Sequence, residues 1–557
     1  MKRWYIIVVG ILLLIFVGES LYTNYNKSLA NDELKHLDTG HYFLAKGVCC
    51  KGVDNTPLIV LNALPLLNDL AYIPAEDYGA FYNGWKYHKY LFWERLPTLL
   101  FGLLLGIIIF KWSKGLWGIW GGLLSLSLFA FSPEIIAHFS LVSPDALCAA
   151  LMTTSLYFFY KLLQAIRIKG VNEKFLNKRI VFLIITNGIF LGLAQIAKYT
   201  SLGLFPIFFF IILICIFHRK DFASKKIILF ILSTIIIVII AYLIVWLSYG
   251  VHLENDYYEF ANGKKIYSFG FGDYLKGIRE ARMNYKEGFP SFFMGELKEK
   301  SEGRHWWLYF PVAFLIKTPF PIHVLIVLSV ICMFTANSFT RKFASKDFLT
   351  EFIIIFPIVF YFIMAVFGNL NIGIRHILQI YPLLFIFIGR LGLWIENKKL
   401  IPKIILCVLL LWYMLGSIVI SPNYLGYFNE LVGGMKNGYK YLVDSNMDWG
   451  QDLKLLKKWM DKKGIEQIQF SYFGFGLPEY YGIKYIYLPG GLSNLVIPQD
   501  YKIPPKGSQK GLMAISVTNL QGVYFKLKGF EPDYYYWLKK HKPIDMVGSS
   551  ILIYEIK

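Results

Sequence analysis

The chain turns apolar for about twenty residues at a time, again and again, and this limits its folds more than any other feature. A run such as 4–21 or 227–249 is long enough to cross the hydrocarbon core of a bilayer as a helix. Eleven such segments can be delimited, at roughly 4–22, 93–110, 115–132, 145–163, 180–197, 201–217, 227–249, 307–335, 351–367, 374–393 and 401–420. Apolar residues make up 56% of the 557, and aromatic residues 18%, more than a soluble core of this size uses. In lipid, each backbone polar group must bond within its own segment, so the expected architecture is a polytopic α-helical membrane protein with about 11 transmembrane helices. Pro319 and Pro321 predict a break inside the eighth segment.

Charge orients these segments. The formal net charge of +20 is concentrated in alternate connections, at 111–114, 161–179, 218–226, 341–346 and 396–403. Placed in the cytoplasm by the positive-inside rule, they put the N-terminus inside and residues 23–92, 133–144, 250–306, 368–373 and the tail outside. The expectation is a multi-pass plasma-membrane protein whose environment is the lipid bilayer. No separate basic domain exists, which argues against nucleic acid as a partner. Met1-Lys2-Arg3 precedes the first apolar run without a small-residue cleavage site after it, the pattern of an uncleaved anchor.

The tail, 421–557, is different in kind. Short β-like runs at 467–473, 511–517 and 550–556, with helical stretches at 452–462 and 533–541, predict a small extracytoplasmic α/β domain. The division is thus 1–420, a membrane domain with outer loops 23–92 and 250–306, and 421–557. Six cysteines are too few for a disulfide framework. Cys148, Cys215, Cys332 and Cys407 lie in apolar runs as packing residues. Adjacent Cys49 and Cys50 allow either a vicinal disulfide or two free thiols.

Chemistry-bearing residues gather at the outer segment ends. Asp32 and Glu33 follow the first span, with His36 four residues beyond Asp32 on the same helical face. Asp32 reads either as the N-cap of a short helix or as a general base oriented by His36. Asp145 heads the fourth span, where an acid meets the helix dipole favourably. Lys198, Arg375 and His376 stand at outer helix ends, and Lys317 deeper in its span. Cations there call for a partner, and the planar fork of Arg375 suits a phosphate. The tail acids Asp444 and Asp448 fit a structural turn or, less well, a calcium loop. The segment 274–282 predicts a helix lying on the membrane surface.

Taken in order, these motifs resemble glycosyltransferase family 39 in the C-type membrane fold: protein O-mannosyltransferases, the lipid A aminoarabinose transferase and their prokaryotic phospholipid-carrier-dependent relatives. The resemblance is carried by Asp32-Glu33-x-x-His36, by Ser132-Pro133 through Ala137-His138 to Asp145, by residues 192–198, by 293–296, 306–311 and 317–319, by 371–376, and by 424–430 and 443–452 in the tail. One departure is Val53-Asp54-Asn55-Thr56-Pro57, where relatives carry a basic residue before two prolines.

The resemblance implies an enzyme: inverting transfer of a single sugar, mannose among the candidates, from a polyprenyl-phosphate carrier to a hydroxyl on a protein, glycolipid or glycan. Asp32 falls at the family's base position, with Glu33 sharing or assisting and Asp145 holding the acceptor or tuning the base. Arg375, Lys198 and His376, with His36 and Lys317, are the candidates for the carrier phosphate. A divalent metal on Asp32, Glu33 and Asp145 and neutralisation by Arg and Lys alone both remain open. A transporter or flippase of the same lipid is the competing class; it predicts broken helices or a hydropathy repeat in two halves, and the sequence shows no such symmetry.

Overall fold

A computed structural model describes residues 4–46, 56–69, 85–168, 177–217, 224–249, 257–259, 265–267, 272–300, 306–334, 348–396, 399–493, 495, 497 and 500–557. Cys49, Cys50, the departure at 53–55, the basic connection at 341–346 and parts of those at 161–179, 218–226 and 396–403 lie outside these residues.

The chain is a multi-pass helical membrane protein. Among the described residues eight helices are long and apolar enough to cross a membrane, nine if one bent pair counts as a span. The segments expected at 93–110 and 115–132 form one helical run, Leu96–Ala130, broken at Gly118, whose φ of 76° a side chain would oppose. In a straight helix Ser113 and Ser125 would stand roughly 18 Å apart. Their hydroxyls instead hydrogen-bond at 2.8 Å, so the run folds back on itself as two antiparallel helices. The predicted break in the eighth segment is a 106° bend between Tyr309–Lys317 and Phe320–Phe334. Lys317 therefore sits at a corner, not deep in a span as its sequence position suggested.

The bundle is apolar outside and in. Ile7, Leu14, Phe217 and Val419 are exposed, as side chains facing lipid tails are. Ile380–Ile388 is buried on every side, the mark of a helix at the centre of the bundle.

Among the described residues, nine short strands complete the fold. Two antiparallel ribbons, β1 (Tyr257–Glu259) with β2 (Lys265–Tyr267) and β3 (Ser291–Phe293) with β4 (Glu296–Lys298), lie in the long loop 250–306. Between them runs the helix Gly272–Glu287, which buries Tyr274 and Gly277 and leaves most of its charged side chains exposed. The tail forms a five-stranded sheet from β5 (Gln467–Ser471), β6 (Lys484–Tyr487), β7 (Gly511–Ser516), β8 (Asp545–Val547) and β9 (Ile551–Ile556), ordered β6-β5-β7-β9-β8. The three runs legible in the sequence are its central strands. The edges, β6 and β8, are too short to leave a periodic signal. The helix expected at 533–541 is only the 3₁₀ turn Tyr536–Lys540.

Residues 421–452 lie along the membrane helices before the sheet begins. Asn429 donates to the carbonyls of Leu315 and Thr318 at the bend, and Tyr424 to Glu19 in the first span. The sheet domain docks on the residues linking the first span to Asp32. Ser28 N donates to Gln451 O (2.9 Å), Leu453 N to Ser28 Oγ (3.0 Å), and Lys27 pairs with Asp452 at 2.6 Å, both side chains buried.

Candidate active site

The helix Asn31–Lys46 begins with its first turn fully committed. Glu33 reaches back to accept the Ala30 N–H at 2.8 Å, half of a capping box, and Asn31 N donates to Trp449 O at 2.7 Å. Asp32 is thus the second helical residue rather than the N-cap, and its carboxylate is left free to face outward. It is the most open of the site acids, with 36% of the side chain exposed.

Asp32 Oδ2 lies 2.7 Å from Arg375 Nη1, and the same nitrogen is 3.7 Å from Asp145 Oδ2. The Arg375 guanidinium stacks 4.3 Å over the Trp449 ring. Asp145, second residue of Pro144–Ile168, accepts from Lys198 Nζ at 2.5 Å on its other oxygen. Two carboxylates and two cations from four separate segments therefore meet at one end of the bundle, under the start of the tail. His376 shares the 3₁₀ turn Ile374–Ile377 with Arg375 and is half-buried, while His36 is buried one turn along from Asp32.

Two expected members do not join this cluster. Glu33 is buried: its oxygens take Arg95 Nε (2.7 Å) and Nη2 (2.6 Å) as a bidentate pair, and also the N–H groups of Ala30 and Val142. With its acceptor capacity spent, it cannot share the base role. Lys317, expected on the carrier phosphate, is sealed beneath the site: it donates to Leu425 O (2.8 Å) and Asn446 O (2.6 Å) and pairs with Glu134 at 3.2 Å.

The metal reading of Asp32, Glu33 and Asp145 fails for the same reason. Among the described residues no three His, Cys, Asp or Glu side chains are grouped to hold an ion. Arg95 occupies Glu33, and Arg375 and Lys198 occupy the other two acids.

Sequence reading missed Arg95 and gave Glu134, His138 and Asp444 no place at the site. Arg95 stands beside Glu94 at the head of an apolar segment, and a charged pair in that place was the available signal. His138 and Glu134, at 3.7 Å, are wholly buried below the rim, and burial holds the imidazole down to about 3, hence neutral. Asp444 has a left-handed backbone (φ 58°) and accepts from Ser445 N and the Tyr524 hydroxyl. Burial pushes its carboxyl up to about 6, against the opposing effects of the Tyr524 bond and the Arg375 charge.

This bundle, with a sheet domain docked over its acid–cation rim, has the C-type membrane glycosyltransferase fold, which solved structures share and the sequence motifs led us to expect. Within it, residues 91–246 match the family described as dolichyl-phosphate-mannose-protein mannosyltransferase.

Two structures of an oligosaccharyltransferase from Archaeoglobus fulgidus share the fold at a TM-score of 0.51. One, the enzyme with an inhibitory peptide and a dolichol-phosphate, is 12% identical over 75% of this chain and 55% of its own. The other, tethered to an acceptor peptide, is 11% identical over 92% and 61%. The chain thus spans less than two thirds of that enzyme. ArnT from Cupriavidus metallidurans bound to undecaprenyl phosphate aligns over 99% of this chain and 98% of its own, at 12% identity and a TM-score of 0.49. No curated protein matches the sequence.

Proposed function

We propose that the chain transfers a single sugar from a polyprenyl-phosphate carrier to a hydroxyl acceptor, with inversion, on the membrane face that carries the sheet domain. The observation that carries this reading is the sharing of one guanidinium, Arg375, between Asp32 and Asp145 beside Lys198. The matched family and the dolichol-phosphate named for one oligosaccharyltransferase structure support it.

In this reading the carrier phosphate draws Arg375 and Lys198 toward itself. Arg375 leaves Asp32 as it does so, and the freed carboxylate becomes a general base. The acceptor oxygen bonds to the anomeric carbon from the face opposite the phosphate. The bond from that carbon to the phosphate oxygen breaks, its electron pair leaves with the phosphate, and the acceptor proton passes to Asp32. A phosphate leaving group needs no proton at neutral pH, and cations already in place stabilise its growing charge. Asp145 orients Lys198 and Arg375, and Glu33 positions the helix that carries Asp32. The N-terminus lies in the cytoplasm and the tail outside. Mannose is one sugar that fits, and a protein, glycolipid or glycan hydroxyl is the acceptor.

The test uses the purified full chain in lipid nanodiscs with polyprenyl-phosphate mannose and a membrane extract. Release of polyprenyl phosphate that depends on the extract is expected. Binding of the intact lipid without release, under a panel of sugars, would favour transport.

A further inference from the structure

We infer that Trp449, on the segment leading into the sheet domain, is a positioning residue that sets the spacing between Asp32 and Arg375. The inference rests on the transfer reaction proposed above, and it gives a role to a tail motif that the reaction as written leaves unused.

Three elements meet at this one buried residue. Its carbonyl accepts from Asn31 N at 2.7 Å, holding the first turn of the helix that bears Asp32. Its indole lies 4.3 Å beneath the Arg375 guanidinium. It also meets the His138 ring edge-on at 6.2 Å, above the buried Glu134–Lys317 pair. Trp449 is itself held: its N–H donates to Gln451 Oε1 at 2.6 Å, and Asp452, three residues on, pairs with Lys27.

The same short segment grips the turn carrying Arg375. Asn446 Oδ1 accepts from Ile374 N at 3.0 Å, and Ser445 Oγ donates to Ile372 O at 2.7 Å. A Cβ on Gly373 would come within 2.2 Å of Ser445 Oγ, so turn and segment touch directly. Main chain on one side and an aromatic face on the other thus tie the base and the phosphate-binding cation to one element.

The reaction needs such a device. Arg375 must exchange Asp32 for phosphate without leaving the site. A hydrogen-bonding partner would hold the guanidinium in one orientation. A ring face attracts it with little directional preference in the plane, so it can shift while staying attached.

The test measures binding of undecaprenyl phosphate to the full-length protein in nanodiscs, alongside carrier KM and kcat. Trp449→Leu removes the π face but keeps apolar bulk, and Trp449→Phe restores a face. We expect Leu to weaken binding about tenfold, with a matching rise in KM, and Phe to recover it to within about threefold. In an Arg375→Ala background the Leu change should add nothing, because the ring acts through the arginine.

Unchanged binding in folded Trp449→Leu, no rescue by folded Trp449→Phe, or an independent further loss in the Arg375→Ala background would each overturn the assignment. Wild-type protein that binds no undecaprenyl phosphate would instead overturn the transfer reaction itself.

Discussion

Asp32 and Glu33 are neighbours in sequence and opposites in structure. Glu33 belongs to a sealed joint, with Arg95, Lys27–Asp452 and Glu134–Lys317, in which every charge is buried. Asp32 belongs to an open rim, with Arg375, Asp145 and Lys198, in which cations are shared and one carboxylate faces out. The residue types are the same, so type does not separate framework from chemistry. What separates them is how many partners each oxygen has and whether water reaches it. In the joint, Glu33 has N–H donors beside its cation, and loss of one partner strands a buried charge. At the rim an incoming anion has cations to capture and a carboxylate to release.

The widest expected gap between the two regions is in activity. Asp32→Asn should lower transfer by about 10²- to 10⁴-fold, the usual range for a lost general base, with thermal stability unchanged. Steady-state rates and melting curves on one preparation check both halves, and transfer at the wild-type rate would end the role of Asp32 as base. Glu33→Gln should do the opposite. It removes the charge partner of buried Arg95 and should destabilise the protein by about 3–5 kcal/mol, with turnover per folded molecule far less affected than by Asp32→Asn. If Glu33→Gln melts normally yet is inactive, the sealed joint is part of the chemistry and the distinction fails.

Arg375→Lys is a finer probe. The ammonium keeps the charge but loses the planar fork and the stacking on Trp449. Carrier affinity should fall about tenfold while the fold stays intact, as read by lipid binding in nanodiscs. An unaltered affinity would mean that net charge alone holds the phosphate.

The helix bundle was legible because lipid forces long apolar runs, and nothing else writes such runs so plainly. Gly118 shows the limit: the spans were readable as two, but only the contact between Ser113 and Ser125 shows that they fold back on each other. At the site, Asp32, Asp145, Lys198 and Arg375 were readable because charge at a segment end has few explanations. Glu33 carries the same signal, Lys317 is a charge inside an expected span, and both were drawn to the site on that ground. Their assignments turn on partners more than 60 residues away, Arg95 for one and Glu134 and Asn446 for the other, which spacing along the chain does not encode. Trp449 looked like part of a motif, but its task is split between a main-chain oxygen and a ring face, and only the second depends on its identity.

The smallest expected effect sharpens the comparison from inside the joint. Asp448 is buried like Asp452, but it accepts from the N–H groups of Thr518 and Gly450 where Asp452 pairs with a cation. Burial pushes its carboxyl up to about 8, with those hydrogen bonds opposing. A group that binds its proton more tightly folded than unfolded favours the folded state only while protonated. Its unfolded value is 3.8, so stability should decline as pH rises from about 4 through about 8. Asp444, raised to about 6, should add a decline of the same sign between about 4 and 6. Asp448→Asn has no proton to lose, and its amide oxygen can still accept from Thr518. The variant should therefore flatten the upper part of this slope, raising the melting temperature at pH 8 relative to wild type by about several degrees while matching it near pH 4. Melting curves of both proteins in one detergent across this range decide it. Parallel slopes would mean that Asp448 is ionised in the fold, and that a buried carboxylate here is held by backbone N–H groups without a cation.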